Sequence, residues 1–169
     1  MKIQCSNCNL FFEIDDEDTQ KVLEHNTNWN ARLKFSFRKQ KYIVANIQCH
    51  SRILNKNVSL THILIECPIG MERDHIDRNP LNNKKSNLRI VTRGQNQMNR
   101  LGCRGSNKYK NVFRNTKNHC FDISVRFNGK RYREYGFPDE EMAAEAANEL
   151  LKKLHGEYAV LNNIILSKG

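Results

Sequence analysis

The stretch Asp74-His75-Ile76-Asp77-Arg78-Asn79-Pro80-Leu81-Asn82-Asn83-Lys84-Lys85-Ser86-Asn87-Leu88-Arg89-Ile90-Val91-Thr92-Arg93-Gly94-Gln95-Asn96 decides how this chain reads. Its first residues close an extended segment that includes Arg73. A polar turn follows from Arg78 to Asn83, rich in Asn and containing Pro80, which cannot donate to a regular ladder. Leu88-Arg89-Ile90-Val91 predicts a short strand, and Thr92 can cap a helix running through Asn96 and Asn99. Neighbouring side chains on an extended segment point to opposite sides. Asp74 and His75 therefore diverge, so that one can bind a cation while the other faces a water molecule.

These residue types are the ones phosphodiester hydrolysis calls for. The reaction needs an activated water, charge stabilisation on the phosphate and help for the leaving oxygen, and one divalent cation can supply the last two. A neutral His accepts the water's proton, because its pKa lies near working pH. Carboxylate and amide oxygens are hard ligands that suit Mg²⁺ or Mn²⁺. Asp, His and Asn are also common turn and cap residues. It is the density of matched positions over this stretch, not any one residue, that carries the functional reading.

Outward from this stretch, charge is the next signal. The 169 residues hold 28 Lys+Arg against 18 Asp+Glu, a net charge of +10. From Arg100 to Arg133 run Arg100, Arg104, Lys108, Lys110, Arg114, Lys117, Arg126, Lys130, Arg131 and Arg133, with Asp122 as the only acid. Such clustering is the electrostatic footprint of a polyanion partner, since each cation placed on a phosphate releases counterions. No run approaches the roughly 18 apolar residues of a membrane span, and the amino terminus lacks the apolar core of a signal peptide. A cytoplasmic setting is expected, with no membrane partner. The six cysteines then read as thiols or metal ligands, not as disulfides.

Residues 1–60 alternate short apolar runs with polar punctuation, as in Leu10-Phe11-Phe12, Leu33–Phe37 and Tyr42–Ile47, which predicts strands. Asp15-Asp16-Glu17-Asp18 leads into Thr19–Glu24, a short helix whose first turn would be favoured by acids. Val58–Glu66 predicts a helix carrying His62. Leu101–Lys108 is basic, Gly- and Ser-containing and aperiodic, as a linker would be. Three strands are predicted beyond it, Tyr109–Arg114, Phe121–Phe127 and Arg131–Phe137. Asn128-Gly129 between the last two signals a type I′ hairpin. Asp139 caps a helix with Ala143, Ala146, Ala147, Leu150, Leu151 and Leu154 on one face, Lys152, Lys153 and His155 near its end, and Gly156 as the stop. Cys5-x-x-Cys8 has the spacing of half a zinc site, with Cys49-His50 as a poor second half, so plain thiols are the favoured reading.

The string Asp74-His75-Ile76-Asp77-x-Asn79-x-x-Asn82-Asn83-x-x-x-Asn87-Leu88-Arg89-x-Val91-Thr92-x-x-x-Asn96-x-x-Asn99 resembles the HNH endonucleases encoded by phages and introns. The resemblance implies an α+β chain with a ββα-metal nuclease core around one divalent ion. Asp74 and Asn96 would be metal ligands, His75 the general base, Asn87 the central Asn bracing the loop, and His62 a phosphate contact or a support to the site. Asn96 stands where many such enzymes have His. Arg78 stands where Gly is usual, so the turn must form without glycine's freedom of φ.

The carboxy-terminal third resembles the ethylene-response-factor (APETALA-type) DNA-binding domain. The matching residues are Tyr109-Lys110-x-Val112-x-Arg114, Val125-x-Phe127-Asn128-Gly129-Lys130-Arg131, Gly136-Phe137, Glu140-Glu141-x-Ala143-Ala144-x-Ala146 and Gly156-Glu157-Tyr158-Ala159-x-Leu161-Asn162. Phe121 sits where that family usually has Trp. The resemblance implies a three-stranded antiparallel sheet laid in the major groove with one helix behind it. Arg114, Arg126, Arg131 and Arg133 would reach bases or phosphates. Lys110, Lys117 and Lys130 would touch phosphate, and Arg104 in the linker would join them. Phe12–Asp18 and the Trp29 to Tyr42 region resemble the amino-terminal part of the same phage proteins.

The expected organisation is a nuclease domain over 1–100 (strand-rich 1–57, ββα motif 58–100), a linker over 101–108 and a DNA-reading domain over 109–169. The expected function is a site-specific endonuclease of the homing, nicking type, acting on double-stranded DNA as a monomer. The competing readings are a non-catalytic DNA-binding regulator and a restriction or repair nuclease.

Overall fold

The computed structural model describes residues 1–36, 41–99 and 108–164, and the predicted linker falls almost wholly outside them. The chain forms two compact units, Met1–Arg93 and Gly94–Gly169.

The first unit opens with a hairpin of β1 (Lys2–Gln4) and β2 (Phe11–Glu13), followed by a 3₁₀ turn at Asp16–Asp18 and helix α1 (Thr19–His25). A three-stranded antiparallel sheet comes next, β3 (Asn30–Ser36), β4 (Lys41–Ser51) and β5 (Lys56–Ser59), in the order β3-β4-β5. Helix α2 (Leu60–Leu64) leads to the antiparallel pair β6 (Met71–His75) and β7 (Leu88–Thr92), and α3 (Arg93–Met98) follows at once.

Phe12, Ile14, Val22, Trp29, Ile47, Cys49 and Leu60 fill one core that reaches Leu88 of β7. Trp29 meets Phe12 edge to face at 6.2 Å and satisfies its indole N–H on the Asn26 carbonyl at 2.8 Å, as a buried Trp must. The segment expected as a helix from Val58 divides. Val58 pairs with Cys49 as the last part of the sheet, and only Leu60–Leu64 is helical.

The acids at 15–18 stand at the start of α1, as expected, with Asp18 in the N-cap position. None of them makes a side-chain capping bond; they reach across the unit instead. The Lys85 amide donates to Asp15 Oδ2 at 2.7 Å, and Lys85 Nζ lies 2.7 Å from Glu17 Oε1 and 2.9 Å from Asp18 Oδ1. Beside it the Glu13 amide donates to the Leu81 carbonyl (2.7 Å) and the Asn83 amide to the Glu13 carbonyl (2.8 Å). The amino-terminal hairpin is thus stitched to the loop that follows β6.

In the second unit β8 (Val112–Asn115), β9 (Cys120–Phe127) and β10 (Lys130–Phe137) form an antiparallel sheet with β9 in the centre, backed by α4 (Glu140–His155). Ala143, Ala144 and Ala147 are fully buried against Ile123 and Val112. Side chains this small let the helix approach the sheet closely. Asn128 and Gly129 have φ of 48° and 77°, the positive pair a type I′ turn demands. Asp139 accepts the Met142 amide at 2.7 Å, a cap worth about 1 kcal/mol. β8 begins three residues later than expected because Asn111 has φ 64°, which no strand residue adopts.

The outermost helix positions also differ from expectation. Ala146, Leu150 and Leu154 are only half-buried, and His155 is buried instead. Asn162 ties the chain after α4 back to the start of β8. It accepts the Lys110 amide at 2.6 Å, donates to the Lys110 carbonyl at 3.1 Å and exchanges two further bonds with Asn148.

Candidate active site

Antiparallel register places Asp74 opposite Arg89 and His75 opposite Leu88. Asp74 is buried to 8% exposure, and Arg89 donates to its Oδ2 from Nε at 3.0 Å and from Nη2 at 2.9 Å. A carboxylate this far from water needs such a charge-assisted partner.

Between the strands the backbone has no ladder, and side chains take its place. Asp77 Oδ1 accepts the Asn79 amide (2.8 Å) and Asn87 Nδ2 (2.9 Å), while its Oδ2 accepts Asn82 Nδ2 (2.8 Å). Asn87 is nearly buried and reads both edges of the loop. Its Oδ1 accepts the Asp77 amide at 3.0 Å, its Nδ2 also reaches the Asn82 carbonyl at 2.8 Å, and its own carbonyl accepts the Ile76 amide at 2.9 Å. Burial opposes ionisation of Asp77. The Asn79 amide and the Asn82 and Asn87 side chains outweigh it and hold the carboxyl below its usual value. Arg78, in glycine's usual place, takes the left-handed conformation at φ 63°, and its amide closes the turn on the His75 carbonyl at 2.9 Å. A residue with a side chain at this φ carries local strain of roughly 1 kcal/mol. His75 Nε2 lies 3.0 Å from Asn83 Oδ1.

His62 is exposed on α2. Loss of solvent around the ring and the charges of Arg73 and Lys56 lower its pKa, which favours the neutral form. Asn96 is half-buried on α3, in the Gly94–Gly169 unit. Cys5 and Cys8 occupy the turn of the β1–β2 hairpin. Burial, reinforced by the neighbouring Cys8, pushes the Cys5 thiol up to about 11, and a zinc ligand must lose that proton. Among the described residues no three His, Cys, Asp or Glu side chains converge as a metal nest.

The second unit presents an open groove lined by Phe113, Arg126, Arg131, Arg133 and Tyr135. Register explains the three arginines, since Arg131 faces Arg126 and Arg133 faces Ser124 across the central pair, on the side away from buried Ile123 and Val125. Arg114 alternates with Phe113, which puts it on the face of Val112. Lys130 likewise alternates with Arg131 at the hairpin end, and Lys117 lies in the β8–β9 turn. Lys110 Nζ donates to the Met98 carbonyl at 3.0 Å. Arg104 lies outside the described residues.

Asn83 and Arg89 belong to this site, although sequence reasoning singled out neither. Both stood inside the motif. Nothing local says which Asn of the Asn82-Asn83 pair turns inward, or that Arg89 falls opposite Asp74; the strand register decides that.

A family model described as HNH endonuclease matches residues 66–98. That span contains β6, the braced loop, β7 and α3, so the similarity falls on the candidate site. Over 97 residues, 57% of this chain, it is 42% identical to an uncharacterized HNH endonuclease of Acanthamoeba polyphaga mimivirus. The chain matches 50% of that relative's length. No solved structure matches the chain significantly. No helix among the described residues is long and apolar enough to cross a membrane.

Proposed function

We propose that this chain is a metal-dependent endonuclease that hydrolyses phosphodiester bonds in double-stranded DNA. The observation that carries this reading is the Asp74-His75 pair at the end of β6, next to a loop braced by Asn87, inside the segment that matches HNH endonucleases.

The chemistry of the donors fits a hard cation. Asp74 offers carboxylate oxygen and Asn96 amide oxygen, with phosphate and water to complete the shell. A single Mg²⁺ or Mn²⁺ there would stabilise charge on the phosphate and assist the leaving oxygen. His75 takes the proton of the attacking water. Asn87 keeps the loop between Asp77 and Asn82 in shape, and His62, neutral and flanked by Arg73 and Lys56, faces the phosphate backbone. Cys5 and Cys8 remain thiols.

The basic sheet is read as an APETALA-like DNA-binding module. Arg126, Arg131 and Arg133 share a face that a major groove can accommodate, and Arg there can pair bidentately with guanine. Lys110, Arg114, Lys117, Lys130 and Arg104 supply phosphate contacts around it. A sequence-reading module joined to one cutting site suits a homing-type enzyme acting in the cytoplasm. A monomer with one site nicks one strand.

The test is cleavage of supercoiled plasmid with Mg²⁺ or Mn²⁺, with EDTA, and by His75→Ala. EDTA should abolish cutting, and His75→Ala should lower it by about 100-fold or more. Full activity in either case refutes the mechanism. Open-circle product marks nicking, and linear product double-strand cutting. Replacing Arg126, Arg131 and Arg133 by Gln should weaken DNA binding and reduce its salt slope by about 0.9 for each phosphate no longer neutralised. An unchanged slope and affinity would remove the sheet from the interface.

A further inference from the structure

The His75–Asn83 pair carries information that the motif alone does not. Asn83 is buried to 1% exposure, far more than a turn Asn requires. Three of its groups are engaged. Its amide donates to the Glu13 carbonyl at 2.8 Å, its Nδ2 donates to the Pro80 carbonyl at 2.9 Å, and its Oδ1 lies 3.0 Å from His75 Nε2. The Pro80 carbonyl can only accept, so turning the Asn83 amide over would set two oxygens against each other in a buried place. The carboxamide is therefore fixed with Oδ1 towards the imidazole, and the ring nitrogen facing it must carry the proton.

We infer that Asn83 is a positioning residue for the general base: it holds His75 as the Nε2–H tautomer, so that Nδ1 is the nitrogen that takes the proton from water. This rests on His75 being the base, as proposed above. A neutral imidazole has one N–H, and with that proton on Nε2 the lone pair is on Nδ1. When Nδ1 takes the proton, Nε2–H stays hydrogen-bonded to the Asn83 carboxamide oxygen. The amino-terminal hairpin enters the mechanism by the same route, because Glu13 anchors the Asn83 backbone.

The experiment uses the full chain. ¹⁵N spectra of the His75 ring in the parent protein should show a protonated Nε2 and an unprotonated Nδ1 above the titration range. A parent ring protonated on Nδ1 would overturn the inference before any variant is made. Plasmid cleavage across a pH series with Mg²⁺ then compares Asn83→Ala and Asn83→Asp. Asn83→Ala should lower kcat by about 10- to 100-fold, as loss of an orienting partner does, with KM for plasmid little changed. Asn83→Asp keeps an acceptor and adds a charge, so the acid limb of its pH–rate profile should move to higher pH while activity recovers on the alkaline side. Damage to the fold alone would lower the plateau without moving that limb. An acid limb that coincides with the parent's, with unchanged His75 ring spectra, refutes the role of Asn83. If His75→Ala stays fully active, the base assignment fails instead, while the ring spectra still report whether Asn83 sets the tautomer.

Discussion

The loop between β6 and β7 and the carboxy-terminal sheet are built by opposite means. In the loop, residues 76–87, side chains of Asp77, Asn79, Asn82, Asn83 and Asn87 take over from a ladder. Each bond joins one particular atom to another, so residue identity is tightly specified. In the sheet unit a backbone ladder, interrupted once between Glu134 and Phe137, carries the shape, and an alanine face on α4 packs against β-branched residues. Many sequences of the right volume would satisfy that arrangement. The proposed chemistry sits in the region whose shape depends on single atoms, and the broad basic surface sits on the region whose shape depends on pattern.

Four measurements put that contrast at risk. The largest effect is expected for Asn87→Ala, which leaves the Asp77 amide and the Asn82 carbonyl without their partners. Buried groups left so cost about 1–3 kcal/mol each. Thermal unfolding of the first unit should fall by several degrees and cleavage should fall with it; a stable, active variant would show that the loop does not depend on single side chains. Next comes Asn162→Ala, expected to destabilise the sheet unit by about 2 kcal/mol, read by hydrogen exchange of β8 amides. Equal loss of protection in β6 and β7 would contradict the independence of the two constructions.

Third is pH. Burial, with Lys110 nearby, lowers the His155 pKa, although a hydrogen bond with the Arg126 carbonyl opposes this. Its ring packs on Phe127 at 5.8 Å. A depressed folded pKa means that His155 contributes stability above the ordinary value of about 6.5 and that this is lost as pH falls through the folded value. For Asp77, also depressed, the contribution is present above about 3.9 and is lost only below it. On acidification the sheet unit should therefore loosen before the loop does, and His155→Leu should remove the first step. Simultaneous loss of both would count against it. The smallest effect belongs to Arg78→Gly, which relieves a positive φ and should stabilise by up to about 1 kcal/mol. A destabilised variant would mean that the Arg78 side chain does more than close the turn.

Local signals in the sequence located most elements. Asn128-Gly129 reads as a hairpin because only a few residues tolerate two positive φ values in succession. Asp139 and Gly156 bracket α4 because they satisfy its ends. The start of β8 was not legible, since Asn111 can be either a strand residue or a left-handed one and only its surroundings decide. The same holds for Val58, which pairs with Cys49 although its own stretch suits a helix. Within the candidate site, Asp74, His75, Asn87 and Asn96 stand out because their chemistry is unusual at such spacing. Asn83 and Arg89 do not, because their importance lies in whom they face.

The local choices thus belong to the sequence alone: turn residues, caps, alternation, and side chains chemically able to bind a cation or take a proton. These depend on neighbours a few positions away. Only the folded chain decides that Glu13 supports Asn83 across 70 residues and that Asn83 faces His75. It also decides that Asp15, Glu17 and Asp18, at the start of α1, grip Lys85, and that Asn162 returns to Lys110. Such pairings depend on which distant backbone groups are brought together when the cores close. Folding must satisfy those buried groups wherever they meet, and no local pattern records where that will be.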